Sequence, residues 1–153
     1  MVIKRERKGM IENKVAYANE ALNRSTLSSI RLIFLMKNGY PCLFYGDYYG
    51  IKGEKSPHTQ IIDILLDARR KYAYGDQIDY FDHPSTVGFV RTGDEEHPGS
   101  GLVFLMSNDE AGSKTMSLGK EYQGEVWHEI TGSIPEEVTL DEEGNGEFSV
   151  QGR

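Results

Sequence analysis

Carboxylates that stand near aromatic segments are the side chains of this sequence best suited to chemistry. The candidates are Asp47, Glu54, Asp79 and Asp82. Two such carboxyl groups about 5 Å apart can hydrolyse a glycoside with retention, one as nucleophile and the other as acid and base. None of the four belongs to a recognisable paired motif, and Asp47 is better interpreted as a loop residue that hydrogen-bonds to backbone. The sequence therefore predicts no catalytic residue.

Metal ligands are equally sparse. The four histidines are scattered and the chain has one cysteine, so the usual histidine and cysteine ligand spacings are missing. Asp82 and His83 could supply oxygen ligands to calcium, but a turn carboxylate that binds nothing is the favoured interpretation. The sequence also has neither a Gly-x-Ser-x-Gly nucleophile elbow nor a glycine-rich phosphate loop. We therefore expect no cofactor in this chain.

Two aromatic residues, Trp127 and Tyr80, are the candidate substrate-binding residues. Trp127 is the single tryptophan, and in its strand it points to the face opposite His128. An exposed ring could stack on the face of a sugar. In a domain of two sheets, however, a tryptophan more often packs in the core or against a neighbouring domain. Both alternatives stay open for Trp127.

Composition excludes several classes of partner. The chain has 17 basic and 24 acidic residues, and its net charge of -7 argues against binding to nucleic acid or to an anionic membrane. A neutral polar ligand such as a glucan is compatible with this charge. No apolar run is long enough for a membrane span, and no signal-peptide core follows the basic residues 1–9. We expect a cytoplasmic protein with a solvated N-terminal end and a buried, inert Cys42.

The first half of the chain has a helix–strand–helix pattern. A helix is predicted over 25–38, where apolar residues recur at helical spacing. The run 39–50 predicts a turn, then a buried strand at 42–45, then a loop that presents an aspartate between aromatic residues. A second helix over 58–73 has an apolar stripe and starts after Ser-Pro. This order is half of an α/β repeat.

From residue 75 the pattern changes to short strands separated by glycine-rich turns. Strand runs at such regular spacing predict an antiparallel sandwich or barrel. The fold class is therefore mixed α and β, with an α/β unit at 25–74 and a β domain at 75–153. Residues 1–24 form a leader without a clear pattern. The predicted strands are centred near residues 80, 89, 104, 116, 127, 138 and 148.

Five runs together resemble the C-terminal part of bacterial α-amylases of glycoside hydrolase family 13, of the liquefying or cytoplasmic type. They are the runs at 39–50, 68–75, 79–83, 87–89 and 124–132. The likeness begins at about Ser28. It implies that 25–74 is the end of a TIM barrel (seventh helix, eighth strand, eighth helix) and that 75–153 is the antiparallel Greek-key β-sandwich called domain C. The resemblance implies a parent enzyme that hydrolyses internal α-1,4-glucosidic bonds of starch and maltooligosaccharides with retention, and whose family often binds calcium.

The sequence departs from the family where the chemistry is done. The family's catalytic Asp, Glu and Asp lie on earlier barrel strands, and the Asn-His-Asp motif of the last one is missing here. Positions that bind calcium in some relatives hold Pro84, Ser85 and Asn108. The leader 1–24 is unmatched, and the family's final strand would follow Arg153. The resemblance therefore implies a C-terminal part that is inactive alone.

Two alternatives stay open beside this interpretation. The chain could be a non-catalytic glucan-binding module with Trp127 and Tyr80 as platforms. It could also be a protein-interaction module, since the predicted strand 42–45 has an unpaired edge and 33–36 is apolar. We expect this barrel surface either to associate with a second copy of the chain or to fold back onto the β domain.

Overall fold

The computed structural model describes the backbone of residues 2–6 and all atoms of residues 32–108, 110–131 and 137–152. The rest of the leader 1–24 and the first part of the helix predicted over 25–38 lie outside the described residues. Two helices follow the helical residues 32–35: α1 (Tyr45–Tyr49) and α2 (Thr59–Tyr72). A 3-10 turn spans Lys120–Tyr122. The strands are β1 (Val2–Glu6), β2 (Gln77–Tyr80), β3 (Thr86–Arg91), β4 (Leu102–Ser107), β5 (Gly112–Ser117), β6 (Val126–Glu129), β7 (Glu137–Thr139) and β8 (Asn145–Val150).

The strands form two antiparallel sheets. The larger has the order β2-β3-β4-β1-β6-β7, and the smaller consists of β5 and β8. Strands β3 and β4 pair along their whole length, from Thr86 opposite Ser107 to Arg91 opposite Leu102. Each strand predicted from residue 75 onward is present, so the antiparallel β domain is confirmed. The arrangement of the two sheets fits a β-sandwich.

The larger sheet is buried on both faces. Side chains alternate along a strand, so Val103 and Leu105 of β4 contribute to the core between the sheets, whereas Leu102 and Phe104 contribute to a second core beneath α2. All four are essentially inaccessible to solvent. This explains the continuous apolar run at 102–106, which is typical of a strand covered on both sides.

Helix α2 lies within one residue of the predicted bounds 58–73 at each end. Its stripe buries Ile62 and Leu65 completely, which contributes about 1.5–3 kcal/mol for each side chain. On the outer side Asp67 forms the predicted ion pair with Lys71, at 2.6 Å. The sequence pattern was sufficient here because both the stripe and the ion pair are local to one helix.

Arginine side chains hold the helical residues 32–35 against the rest of the fold. Buried Arg91 donates a hydrogen bond to the carbonyl oxygen of Leu35 at 3.3 Å. Arg69 of α2 donates another to the carbonyl oxygen of Phe34. Both carbonyls belong to the C-terminal end of the helical segment, where backbone oxygens lack partners within a helix. Of the two expected arrangements, the described residues thus show folding back onto the β domain.

The predicted buried strand at 42–45 is wrong. Residues 41–44 have no regular structure, and Tyr45 begins α1. Phe44 and Tyr45 are 64% and 71% exposed, and Cys42 is exposed as well, so the expected inert thiol is also wrong. A buried parallel strand requires neighbouring strands for its backbone groups, and no described strand lies beside this segment. The described residues accordingly do not show a partial barrel.

Strand β1 corrects the expectation of a solvated N-terminal end. Its residues Val2–Glu6 lie between β4 and β6 and are antiparallel to both. Ile3 is opposite Val103 on one side and Glu129 on the other. Local pattern could not predict this strand, because its pairing partners lie near the other end of the chain.

Candidate functional site

Two of the candidate carboxylates are on or just after β2. Asp79 accepts a hydrogen bond from Nε2 of Gln77 at 2.6 Å. Asp82 forms an ion pair with Lys114 of β5. Each carboxylate is thus engaged by a different partner.

The other two candidates, Asp47 and Glu54, lie in the segment between Gly46 and α2. The Ser56 hydroxyl donates to the carbonyl oxygen of Asp47, and the Thr59 hydroxyl donates to that of Tyr48 at 2.6 Å. These bonds fix the loop through backbone oxygens, whereas we predicted that the Asp47 carboxylate would do so. Glu54 is exposed.

An open cleft of about 540 Å³ lies between the end of β2 and the edge strand β5. Tyr80, Asp82 and His83 line one side, and β5 contributes Lys114 and Thr115. The walls carry hydroxyl groups, one ion pair and one imidazole. Such a lining offers both donors and acceptors to a small polar ligand.

The charges of the cleft are held in place by hydrogen bonds. The hydrogen bond from Lys114 lowers the pKa of the Asp82 carboxyl below its ordinary value. The Lys114 side chain is 9% exposed, whereas the Asp82 side chain is 76% exposed, so water still screens this ion pair. His83 accepts hydrogen bonds at Nδ1 from the backbone N–H groups of Ser85 and Thr86, at 3.2 and 3.1 Å. The neutral tautomer consistent with these bonds carries its proton on Nε2.

Tyr80 joins the cleft to the core. Its hydroxyl oxygen accepts a hydrogen bond from the backbone N–H of Ser117 at 2.9 Å. The ring packs against the core between the two sheets, which contains Trp127. The structure therefore places one predicted binding residue, Tyr80, at the cleft. Its hydroxyl group is held by the hydrogen bond to Ser117, and its side chain lines the opening.

Trp127 lies inside that core and is 0% exposed. Its ring meets Tyr122 edge-on, with centroids 6.1 Å apart. Gly101 covers it so closely that a Cβ at this position would be 3.2 Å from Cη2. With both faces covered, the ring cannot stack on a sugar in this conformation. This geometry matches the core alternative rather than the platform, and the two predicted binding residues do not share one surface.

The residues at the family's calcium positions do not fit a calcium site. Pro84 has no side-chain oxygen, and the carbonyl oxygen of Ser85 accepts a hydrogen bond from the backbone N–H of Asn108 at 3.0 Å. Calcium prefers several carboxylate and carbonyl oxygens at one point. No group of three or more His, Cys, Asp or Glu residues suited to a metal occurs in the described part of the chain.

An exposed aromatic surface, formed by Tyr40, Phe44, Tyr45, Tyr49 and Ile51, is the feature that sequence analysis placed wrongly. Tyr40 is 91% exposed, and the rings of Tyr45 and Tyr49 lie 4.6 Å apart. The sequence signal was present as a high density of aromatic residues, but we assigned part of it to a buried strand. Side chains of this kind in a connected patch typically mark a surface that another protein segment covers.

Comparison with known proteins shows clear relatives. An alpha-amylase of Geobacillus stearothermophilus is 48% identical over 121 residues, which are 78% of this chain and 22% of that protein. The glucan 1,4-alpha-maltohexaosidase of Bacillus sp. (strain 707) is 47% identical over 122 residues, 79% of this chain and 24% of that protein. The cytoplasmic alpha-amylase of Escherichia coli (strain K12) is 37% identical over 132 residues, 79% of this chain and 26% of that protein.

The chain thus spans about a quarter of the length of these curated relatives. No protein-family model matches it. Within the described residues, none of the helices has the length and apolar character needed to cross a membrane. The identities agree with the five runs that resemble the end of an amylase sequence. The chain corresponds to a C-terminal part of an α-amylase of glycoside hydrolase family 13.

Proposed function

We propose that this chain is the non-catalytic C-terminal part of an enzyme that hydrolyses internal α-1,4-glucosidic bonds of starch and maltooligosaccharides with retention. The observation that carries the proposal is the 37–48% identity to about a quarter of the length of amylases, together with the five runs that resemble the end of such a sequence. Retention requires two carboxyl groups about 5 Å apart. The candidate carboxylates Asp79 and Asp82 are each engaged by a different partner, which supports a role without catalysis for this chain.

We further propose that 32–73 completes the barrel of the whole enzyme and that the β-sandwich is its Greek-key domain C. The exposed aromatic surface supports the first part. As a central barrel strand, 42–45 would bury Phe44 and Tyr45, which are exposed here because no neighbouring strand covers them. The rest of the enzyme is the proposed cover, and self-association of this chain through the same surface is the alternative. Sedimentation of the purified chain distinguishes them, since a stable dimer would favour self-association.

We also propose a cytoplasmic location, which the relative named a cytoplasmic alpha-amylase supports. The net charge of -7 supports the proposal that neither nucleic acid nor a membrane is a partner. Calcium binding is proposed for the whole enzyme only, because Pro84, Ser85 and Asn108 lack the carboxylates that such a site needs.

Activity of the purified chain tests the proposal directly. We expect no release of reducing sugar from soluble starch above the buffer rate. The matched variants are Asp79→Asn and Asp82→Asn, which retain size and remove charge. Turnover that co-purifies with the chain and falls in either variant would refute the non-catalytic role.

A second candidate function, glucan binding at the cleft, is favoured by the position of Tyr80. The ring borders an opening of about 540 Å³, and hydroxyl groups of β5 line the other side. Because the ring also packs against the core around Trp127, ligand binding should change the fluorescence of that tryptophan. We expect a saturable change with maltohexaose that is weakened in Tyr80→Ala and retained in Tyr40→Ala, which removes an exposed tyrosine outside the cleft. No change up to millimolar sugar would exclude this site.

A further inference from the structure

Strand β1 occupies a gap in the middle of the larger sheet. Strand β4 pairs with β3 on its other side, and β6 pairs with β7. Without β1, the facing edges of β4 and β6 would both present unpaired backbone N–H and C=O groups. Unpaired groups of this kind, buried from water, destabilise a fold unless another segment supplies partners.

The gap runs through the core of the β domain. Among the six residues opposite β1, Val103 and Phe104 on β4 and Trp127 on β6 are essentially buried. Val103 and Trp127 belong to the core between the sheets, while Phe104 belongs to the core beneath α2. Both cores therefore meet at this gap.

The occupying strand itself is poor in apolar residues. Three of the five residues of Val2–Glu6 are charged, and two of them, Lys4 and Arg5, are basic. The neighbouring strand β6 places Glu129 opposite Ile3, and Glu137 lies on β7, one strand further away. A strand of this composition gains little from hydrophobic burial, so backbone pairing and charge must supply most of its affinity.

We propose that the gap between β4 and β6 is a strand-binding slot and that its ligand is the extended basic segment Val2–Glu6. The segment binds by pairing as a strand with β4 on one side and β6 on the other. The same pairing forms when a separate molecule supplies the segment. The likeness to amylases begins at about Ser28, so the segment that fills the slot lies outside the part of the chain that resembles the family. The segment Val2–Glu6 of the leader therefore completes the larger sheet of the β domain.

The first experiment uses the full-length Ile3→Pro variant. Proline removes one backbone donor at a residue paired on both sides, which is tolerated only at sheet edges. A fluorescent synthetic peptide of residues 1–8 should bind this variant saturably in an anisotropy titration. It should bind the unchanged chain at least about tenfold more weakly, because the tethered strand competes. Ile3→Val, which keeps the backbone donor and a β-branched side chain at the same position, is the matched control and should behave like the unchanged chain.

The peptide with Ile3→Pro is the second control and should not bind. Equal binding of both peptides, or no binding of either to a folded Ile3→Pro chain, would overturn the proposal. A disulfide test covers the case in which Ile3→Pro does not fold. In a Cys42→Ser background, Lys4→Cys with His128→Cys places two thiols at directly opposed positions, whose separation suits a disulfide.

Lys4→Cys with Glu137→Cys is the matched pair, because β7 lies one strand further away. We expect the 4–128 disulfide to form on mild oxidation and the 4–137 disulfide not to form. Failure of the 4–128 disulfide would refute the placement of the segment in the slot.

Discussion

Replacing Gly88 with alanine is the sharpest test of how the two sheets approach each other. Gly88 lies inside β3, opposite Tyr80 on β2 and Leu105 on β4. A Cβ at this position would be 2.6 Å from the carbonyl oxygen of Phe104 and 3.2 Å from the sulfur of Met116. The sulfur can move, but the carbonyl belongs to a paired strand and cannot move without distorting the sheet.

Two effects of opposite sign compete in Gly88→Ala. Removing a glycine from a strand normally stabilises a protein by about 0.5–1 kcal/mol. Overpacking a core costs about 1–3 kcal/mol. Because the closest contact is with backbone, we expect the second effect to dominate and the free energy of unfolding to fall by about 1–2 kcal/mol. For a chain of this size that corresponds to a melting temperature roughly 2–8 °C lower.

The assay is urea and thermal unfolding followed by the fluorescence of Trp127, which is fully buried in the native state. Ser113→Ala on the exposed side of β5 is the control and should change the free energy of unfolding by less than about 0.5 kcal/mol. An unchanged or higher melting temperature for Gly88→Ala would show that the strands are not as closely packed as described.

Three further predictions follow from the described contacts. Phe104→Ala should lower the free energy of unfolding by about 3–5 kcal/mol, because the ring is buried and stacks on Phe89 with centroids 5.0 Å apart; a loss below that of the exposed Leu66→Ala would contradict this. Cys42 should react with Ellman's reagent in the native protein as fast as in urea, since it is exposed; strong protection would instead favour the buried strand. Backbone hydrogen bonds, first from Asn145, lower the pKa of the Asp141 carboxyl, so its stabilisation is present above about pH 4 and is lost as the pH falls through the lowered pKa. Asp141→Asn should therefore flatten the decline of the urea midpoint in this acid range, and an unchanged slope would count against it.

The β domain was predictable because its signals are local. Strands β2 to β8 each combine β-forming residues with a flanking turn, and α2 carries its stripe within one helix. These patterns depend on nearest neighbours along the chain, so a single sequence contains them. The same holds for the ion pair of Asp67 with Lys71.

The wrong predictions depend on partners distant in sequence. An apolar run such as 42–45 becomes a buried strand only where other strands flank it, and the described fold has none there. Strand β1 was missed for the converse reason, because a charged segment became a strand through pairing with β4 and β6. For the site, the sequence pointed to Tyr80, but it could not show that Lys114 would lie beside Asp82 or that Trp127 would be buried.

Segments of this chain cover both faces of the larger sheet, whereas no such segment covers the exposed aromatic surface in the described residues. One face is covered by β5 and β8, and the other by α2 and the helical residues 32–35, so neither core needs a segment from elsewhere. The exposed aromatic surface is different, because the rings of Tyr45 and Tyr49 contact each other and its residues remain open to solvent. A domain whose cores are closed can fold before the rest of an enzyme is added, whereas an open aromatic surface gains stability only when it is covered. If the proposed function holds, the exposed aromatic surface gains stability when the catalytic part covers it, whereas the two cores of the β domain are already closed.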